Sequence, residues 1–173
     1  MYLQNETIHL RALEPEDLEQ LYDWENDTEI WTVSNAVEPY SRYILKEYIA
    51  YSDKTIYEKK QLRLMIVNKE SNHVVGAIDI FDFDAHNMRA GIGILIEQAY
   101  RQKNYAGMAL DLVKEYCFNF LHLNQLYAHV TSDNGSSRAL FSRHGFSQSG
   151  VLRSWLHHEN GFLDVEVFQS IKE

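Results

Sequence analysis

The sequence predicts an α+β protein in which a mixed central sheet is flanked by helices, and three observations support this prediction. Residues 88–121 read as a buried strand, a polar loop and a helix with one apolar face. Runs of alternating or β-branched residues at 61–83 and 150–171 read as hairpins, the second turning at Glu159-Asn160-Gly161. Two amphipathic stretches near the start read as helices. With 173 residues, 45% of them hydrophobic, we expect one domain spanning residues 1–173.

The predicted elements follow from local signals in chain order. A first helix has Pro15 in its first turn, and a second begins at Ser41, a favourable N-cap residue, and runs to Ser52. Residues 28–40 between them show no clean period, so we expect a loop there. A short helix from about Ser136 should end at Gly145. The predicted strands cover residues 7–10, 61–67, 74–83, 88–96, 125–131, 150–158 and 162–171.

Composition and charge exclude several classes of function. The formal net charge of −9 argues against nucleic-acid binding, which depends on lysine and arginine clusters. It is compatible with a cationic substrate and equally with ordinary solubility. No apolar run approaches the length of a membrane helix, and residues 1–10 do not resemble a secretory signal. One cysteine, Cys117 on the apolar face of the central helix, indicates a core thiol and a reducing cytoplasmic location.

The loop at 97–104, between the central strand and its helix, is a candidate anion site. It carries Arg101 and Lys103, and the helix start behind it presents unpaired backbone N–H groups. A phosphate-bearing ligand suits such a loop, although a strand–loop–helix unit without any ligand has the same local pattern.

The segment YRQKNYAGMAL resembles the pyrophosphate loop of the GCN5-related N-acetyltransferases, whose pattern is Arg/Gln-x-x-Gly-x-Gly/Ala. Arg101, Asn104 and Ala106 fall on its defined positions, with asparagine replacing the first glycine. The element order β-α-α-β-β-β-α-β-α-β-β is that of the same acyltransferase fold. The segments HLRALEPEDLEQLYDWEND and DNGSSRALFSRHGF resemble the branch that contains ribosomal-protein N-terminal and spermidine acetyltransferases. The second segment matches that branch at Asn134, Ser137, Leu140, Gly145 and Phe146.

The resemblance implies acetyl-CoA as cosubstrate and direct attack of a primary amine on its thioester. It implies a polyamine acceptor, with a protein N-terminus as the alternative among enzymes. A non-catalytic acyl-CoA-binding module and a purely structural domain are the alternatives outside enzymes. We expect no nucleic-acid or membrane partner, and a homo-oligomer is compatible with the pattern. The implied cofactor-binding residues are Ile94, Leu95, Ile96, Arg101, Gln102, Lys103, Asn104, Tyr105, Ala106, Gly107, Asn134 and Ser137.

Two positions depart from the family pattern, and both concern proton transfer. Phe141 stands where the spermidine-type enzymes carry the tyrosine that protonates the thiolate, so either water, Tyr105 or Ser142 takes that role or catalysis is slow. Gly91 stands where many relatives carry a glutamate, and we choose Asp82 as the base that replaces it. The other candidate bases are Asp79, Asp84, His86 and His129. No metal site is expected, because the adjacent His157 and His158 point to opposite faces of a strand.

Overall fold

The computed structural model describes residues 2–34, 36–159 and 161–172, within which seven strands form one mixed sheet. The strands lie in the order β1-β2-β3-β4-β5-β7-β6, and every neighbouring pair is antiparallel except β4 and β5, which are parallel. This confirms the predicted α+β class and mixed sheet. The strands are β1 Ile8–Arg11, β2 Leu62–Asn68, β3 Val74–Asp84, β4 Arg89–Ile96, β5 Gln125–Thr131, β6 Ser147–His158 and β7 Gly161–Ile171.

The sequence pattern did not predict two of the helices, α2 at Thr28–Ser34 and α4 at Ile56–Lys59. α2 occupies part of the stretch expected to be a loop at 28–40, so that prediction was wrong for its first half. Its start has a local cause, because the Asp27 side chain accepts a hydrogen bond of 2.9 Å from the Glu29 N–H. α5 continues into one π-helical turn at Tyr116–Phe120. The helices are α1 Leu18–Glu25, α2 Thr28–Ser34, α3 Arg42–Ala50, α4 Ile56–Lys59, α5 Tyr105–Glu115 and α6 Gly135–Arg143.

The chain divides into two compact units, and the larger one contains the sheet. It comprises the residues up to 11 together with those from 56 onward. Its core joins one face of the sheet to α5, with Ile78, Ile92, Leu126 and Leu110 fully or almost fully buried. Burial of each such side chain contributes about 1.5–3 kcal/mol relative to exposure. Cys117 belongs to this core, as predicted, and burial raises the pKa of its thiol to about 12.

The smaller unit, residues 12–55, contains α1, α2 and α3. Ser41 caps α3 as predicted, accepting a hydrogen bond of 3.2 Å from the Ile44 N–H. Asn26 fixes the connection before α3 by exchanging hydrogen bonds of 2.9 and 3.1 Å with the backbone of Tyr40. That the two units form one domain stays a prediction. The second hairpin is present as expected, with Asn160 of its predicted turn outside the described residues.

In the parts of the chain that the structure describes, no helix combines the length and apolar character that crossing a membrane requires.

Candidate functional site

The two parallel strands at the centre of the sheet pair only at one end. Arg89, Ala90 and Gly91 of β4 pair with residues 125–127 of β5. Both strands are described over their whole length, and they do not pair beyond this point. β4 continues to Ile96 and β5 continues to Thr131, so the strands diverge beyond the Gly91–Tyr127 pair. This opening lies in the middle of the sheet rather than at its edge, and we call it the central gap.

The backbone of β4 faces the central gap at alternate residues. The Glu97 N–H donates to the Val75 carbonyl of β3 at 3.0 Å, which fixes the odd-numbered residues of β4 as those that bond to β3. The backbone groups of Ile94 and Ile96 therefore point towards the gap, while those of Leu95 point to β3. Of the three residues predicted to bind the cofactor through their backbone, Ile94 and Ile96 therefore have backbone groups that a ligand in the gap can reach.

The predicted pyrophosphate loop lies directly after β4 and leads into α5. Gln102 and Asn104 both have positive φ, 63° and 61°, and Asn104 is the residue that precedes the first turn of α5. Asparagine tolerates this left-handed conformation better than most side chains, which explains how it replaces the family glycine. Arg101 folds back so that its Nε donates to the Ile96 carbonyl at 3.1 Å. The loop and the open end of the gap are thus adjacent.

Gly107 allows the first turn of α5 to pack closely against the end of α6. A Cβ at position 107 would lie 2.5 Å from Asn104 Oδ1 and 2.6 Å from His144 Nε2. The His144 ring is held in place, because its Nδ1 lies 2.7 Å from Asp111 Oδ1. Lys114 binds the His144 carbonyl through its Nζ. A side chain at position 107 would therefore push apart the structure that shapes the loop.

Asn134 and Ser137 organise the start of α6. The Asn134 Oδ1 accepts hydrogen bonds of 3.0 Å from the Ser137 N–H and from the Ser136 hydroxyl. Asn134 is therefore the N-cap of α6, and this capping role is compatible with the predicted cofactor contact of its remaining amide group. Ser137 is half-buried. Both predicted roles in cofactor binding stay predictions.

Phe141 lies in the core of the larger unit with 5% of its surface exposed. Its ring packs edge-on against Phe146, with centroids 5.1 Å apart, and stacks with Phe168 at 6.4 Å. Of the two hydroxyls considered as substitutes for the family tyrosine, that of Tyr105 already accepts a hydrogen bond of 2.9 Å from Asn68 Nδ2. Ser142 is exposed.

Asp82 and Tyr127 meet at the vertex of the central gap. The Tyr127 hydroxyl donates to Asp82 Oδ2 at 3.1 Å, and Tyr127 is the last residue of β5 that pairs with β4. Asp82 adopts φ 48° inside the irregularity that separates the Phe81 and Asp84 pairings of β3 with β4. Burial, followed by the nearby Asp82 carboxylate, raises the pKa of Tyr127 to about 12.

Phe81 explains why glycine occupies position 91. A Cβ at Gly91 would lie 2.3 Å from the Phe81 ring, so a larger residue cannot share this space with the phenylalanine. The same ring meets Tyr127 edge-on at 5.9 Å. The aromatic ring thus fills the position from which the family glutamate would project.

Of the other candidate bases, the two aspartates are held by partners, whereas the two histidines are exposed near Tyr127 and Asp82. Asp79 forms a two-point ion pair with Arg63, at 2.7 and 2.9 Å. Asp84 binds Asn87, which lowers the pKa of its carboxyl, with a smaller effect from Arg89. His129 is exposed beside Tyr127, with ring centroids 5.5 Å apart. His86 is exposed in an open depression of about 520 Å³ that Asp82 also lines.

Sequence reasoning missed three residues of this site, Phe81, Tyr127 and His144. Tyr127 and Phe81 appeared only as members of alternating strand patterns, and their proximity depends on sheet register. Among the residues that the structure describes, no group of three or more histidine, cysteine and acidic side chains could hold a metal ion.

Comparison with known proteins agrees with this geometry. Residues 7–147 match the family model described as the acetyltransferase (GNAT) domain. The chain is 28% identical to the N-acetyltransferase p20 of Bacillus licheniformis over 98% of its own length and 96% of that protein. It is 27% identical to the spermidine N(1)-acetyltransferase of Escherichia coli K12 over 84% of its own length and 76% of that protein.

The fold also matches a solved structure of spermidine N-acetyltransferase from Vibrio cholerae in complex with CoA and spermine. The TM-score is 0.86 at 23% identity, with 96% of each chain covered. The spermidine N-acetyltransferase of Vibrio cholerae has also been solved as a dodecamer. This chain is similar to that structure with a TM-score of 0.80 at 22% identity, over 96% of its own length and 95% of the Vibrio chain.

Proposed function

This chain belongs to the GNAT acetyltransferase family and is an N-acetyltransferase, and we propose that it uses acetyl-CoA to acetylate a primary amine of a polyamine by direct attack. The observation that carries this proposal is the central gap, into which the backbone groups of Ile94 and Ile96 point beside the loop predicted to bind an anion.

The residues around the gap fit acetyl-CoA in polarity and in order. Ile94 offers its backbone N–H and C=O groups to the amides of the pantetheine arm, and Ile96 offers its N–H, since its carbonyl accepts from Arg101. The first turn of α5, from Tyr105 onward, offers backbone N–H groups to the pyrophosphate, and the positive end of the helix dipole favours the same charge. Arg101 and Lys103 are exposed on the loop and add positive charge. On the other side of the gap, Asn134 lies at the start of α6.

Acetyl-CoA supplies a thioester whose carbonyl carbon accepts the amine and whose sulfur departs. The chain must therefore provide a route by which the amine loses a proton. An alkylamine of pKa about 10 is neutral in only about one molecule per thousand at pH 7, a cost of about 4 kcal/mol. We assign proton acceptance to Asp82, which is exposed and lies at the vertex of the gap.

A polyamine acceptor suits the charge of the chain. The net charge is −9, and acidic residues are concentrated around the connection between α1 and α3, at Glu25, Asp27, Glu29 and Glu38. Such a surface attracts a flexible polycation and raises its local concentration. The names of the Escherichia coli and Vibrio relatives, both spermidine acetyltransferases, support the same class of acceptor. As in the dodecameric Vibrio protein, we expect this chain to form a homo-oligomer.

The test combines a thiol-release assay with a melting scan. Purified protein is given acetyl-CoA with spermidine, spermine, or a short peptide with a free N-terminus, and release of CoA thiol is followed. We expect turnover with the polyamines and little with the peptide. A ligand present at about 100 times its Kd adds about 2.7 kcal/mol to stability, so acetyl-CoA should raise the melting temperature clearly.

Arg101→Ala tests the loop, with Arg143→Ala as its matched control because both arginines are exposed. We expect the first variant to weaken acetyl-CoA binding about tenfold, since charge-assisted contacts to phosphate are lost, and the second to leave it unchanged. Failure of acetyl-CoA to shift melting at millimolar concentration would refute the cofactor assignment. Turnover with the peptide but not with polyamines would identify a protein N-terminus as the acceptor.

A further inference from the structure

Tyr127 was not a candidate in the sequence, yet it occupies the narrowest point of the central gap. β4 and β5 are paired up to Gly91 and Tyr127 and diverge immediately afterwards. A ligand lying between the two strands therefore ends against this pair. Within the proposed site, the reacting end of the cosubstrate and the acceptor amine have to meet near this vertex.

The Tyr127 side chain packs between two rings and directs its hydroxyl to Asp82. Phe81 packs against one side of the ring at 5.9 Å, and His129 lies beside it at 5.5 Å. The hydroxyl donates to Asp82 Oδ2 at 3.1 Å. This arrangement leaves the lone pairs of the Tyr127 oxygen as acceptors for a second donor.

Asp82 connects this hydroxyl to solvent. Its carboxylate is exposed, and it lines the open depression together with Lys60, Asp84 and His86. The positive φ of Asp82 arises at the β3 irregularity, which turns its side chain away from the ordinary strand alternation. A strained backbone at this place is a feature typical of functional sites.

We propose that Tyr127 is the acid–base residue that first receives the proton of the acceptor amine, and that it passes its own hydroxyl proton to Asp82 in the same step. One N–H bond of the ammonium and the O–H bond of Tyr127 break, while new O–H bonds form on Tyr127 and on Asp82. The ammonium and the carboxylate become a neutral amine and a carboxylic acid, and Asp82 then releases its proton to solvent. This inference rests on the proposed function.

The ionisation of Tyr127 agrees with a relay rather than with a phenolate base. Its pKa is raised to about 12, so the phenol stays protonated near neutral pH and can accept a proton only by giving one up. Other charged groups near the pair are Arg89, which favours the phenolate slightly, the His129 ring, and the Lys60, Asp84 and His86 side chains of the depression.

The experiment measures kcat/KM for spermidine between pH 7 and 9.5 in Tyr127→Phe, Asp82→Asn and the double variant. Tyr127→Phe keeps the ring and its contacts and removes only the hydroxyl. We expect each single variant to lose about 10²-fold at pH 7. The double variant should lose no more than the worse single variant, because both act in one relay.

The pH dependence distinguishes a relay from a structural role. As pH approaches the amine pKa of about 10, the acceptor loses its proton in solution, so the deficit of Tyr127→Phe should shrink towards a few-fold at pH 9.5. Acetyl-CoA should shift the melting temperature of all variants equally. Tyr57→Phe removes an exposed tyrosine hydroxyl and Glu70→Gln an exposed carboxylate, and both should behave as the unmodified protein.

The possible outcomes separate the proposed function from the proton relay. Lack of turnover by the unmodified protein would overturn the proposed function and this inference together. An active protein whose Tyr127→Phe variant stays within twofold at pH 7 would overturn the relay alone. A loss that is constant across pH, or that comes with a smaller acetyl-CoA melting shift, would also overturn it by showing that Tyr127 only supports the structure.

Discussion

Replacing Gly107 by alanine tests the packing that shapes the predicted pyrophosphate loop. In an unobstructed helix this change stabilises a protein by about 0.5–1 kcal/mol. Here the new Cβ would lie 2.5 Å from Asn104 Oδ1 and 2.6 Å from His144 Nε2, well inside normal contact distance. His144 cannot easily retreat, since it is bound to Asp111. With overpacking costs of about 1–3 kcal/mol, we expect a net loss of about 1 kcal/mol.

A loss of that size lowers the melting temperature by roughly 2–4 °C for a chain of this length and should weaken acetyl-CoA binding as the loop is displaced. Gly150→Ala is the control, because no atom lies within 4 Å of its added Cβ, and we expect its melting temperature to stay the same or to rise slightly. Adding Asn104→Gly to Gly107→Ala removes one of the two obstructing side chains and should restore part of both losses. A Gly107→Ala variant that melts higher than the unmodified protein would refute this account of the packing.

Two further predictions concern buried side chains. Phe141→Tyr adds a hydroxyl without altering the ring. If this residue lies beside the thioester sulfur, turnover with spermidine should rise several-fold, because the new hydroxyl can protonate the thiolate. A lower melting temperature without a gain in turnover would show that Phe141 is only a core residue, packed on Phe146 and Phe168. Cys117, whose thiol pKa is raised to about 12 by burial, should resist alkylation at pH 8 in the folded protein and react once denaturant is added; rapid labelling of the native state would contradict its burial.

Much of the fold followed from periodicity and turn residues. The boundaries of β5 agree with the prediction at both ends, and Gly145 ends the segment after α6 with φ 81°. α2 escaped prediction because a seven-residue helix rich in β-branched residues shows no clear apolar stripe. Its beginning depends on one hydrogen bond that the Glu29 N–H donates to the Asp27 side chain, and hydrophobic periodicity does not reveal such a bond.

The candidate site was predictable where it is local in sequence and not where it depends on register. The loop from Arg101 to Gly107 is continuous, so its residue types and the positive φ of Asn104 could be anticipated. The contact between Asp82 and Tyr127 joins β3 to β5 across β4, and nothing in either segment alone indicates it. The exclusion of a side chain at Gly91 likewise depends on where the Phe81 ring lies.

The central gap also gives the sheet two edges in its interior. Beyond the Gly91–Tyr127 pair, the gap-facing sides of β4 and β5 resemble the outer edge of a sheet, and such edges are templates on which another chain can add a strand and aggregate. Arg101 already covers the Ile96 carbonyl, which blunts one of these edges. A cosubstrate lying between the strands would cover the remaining positions. Bound acetyl-CoA would then reduce aggregation of the protein as well as serve as a reactant. Cells short of acetyl-CoA should then hold less of this protein in soluble form.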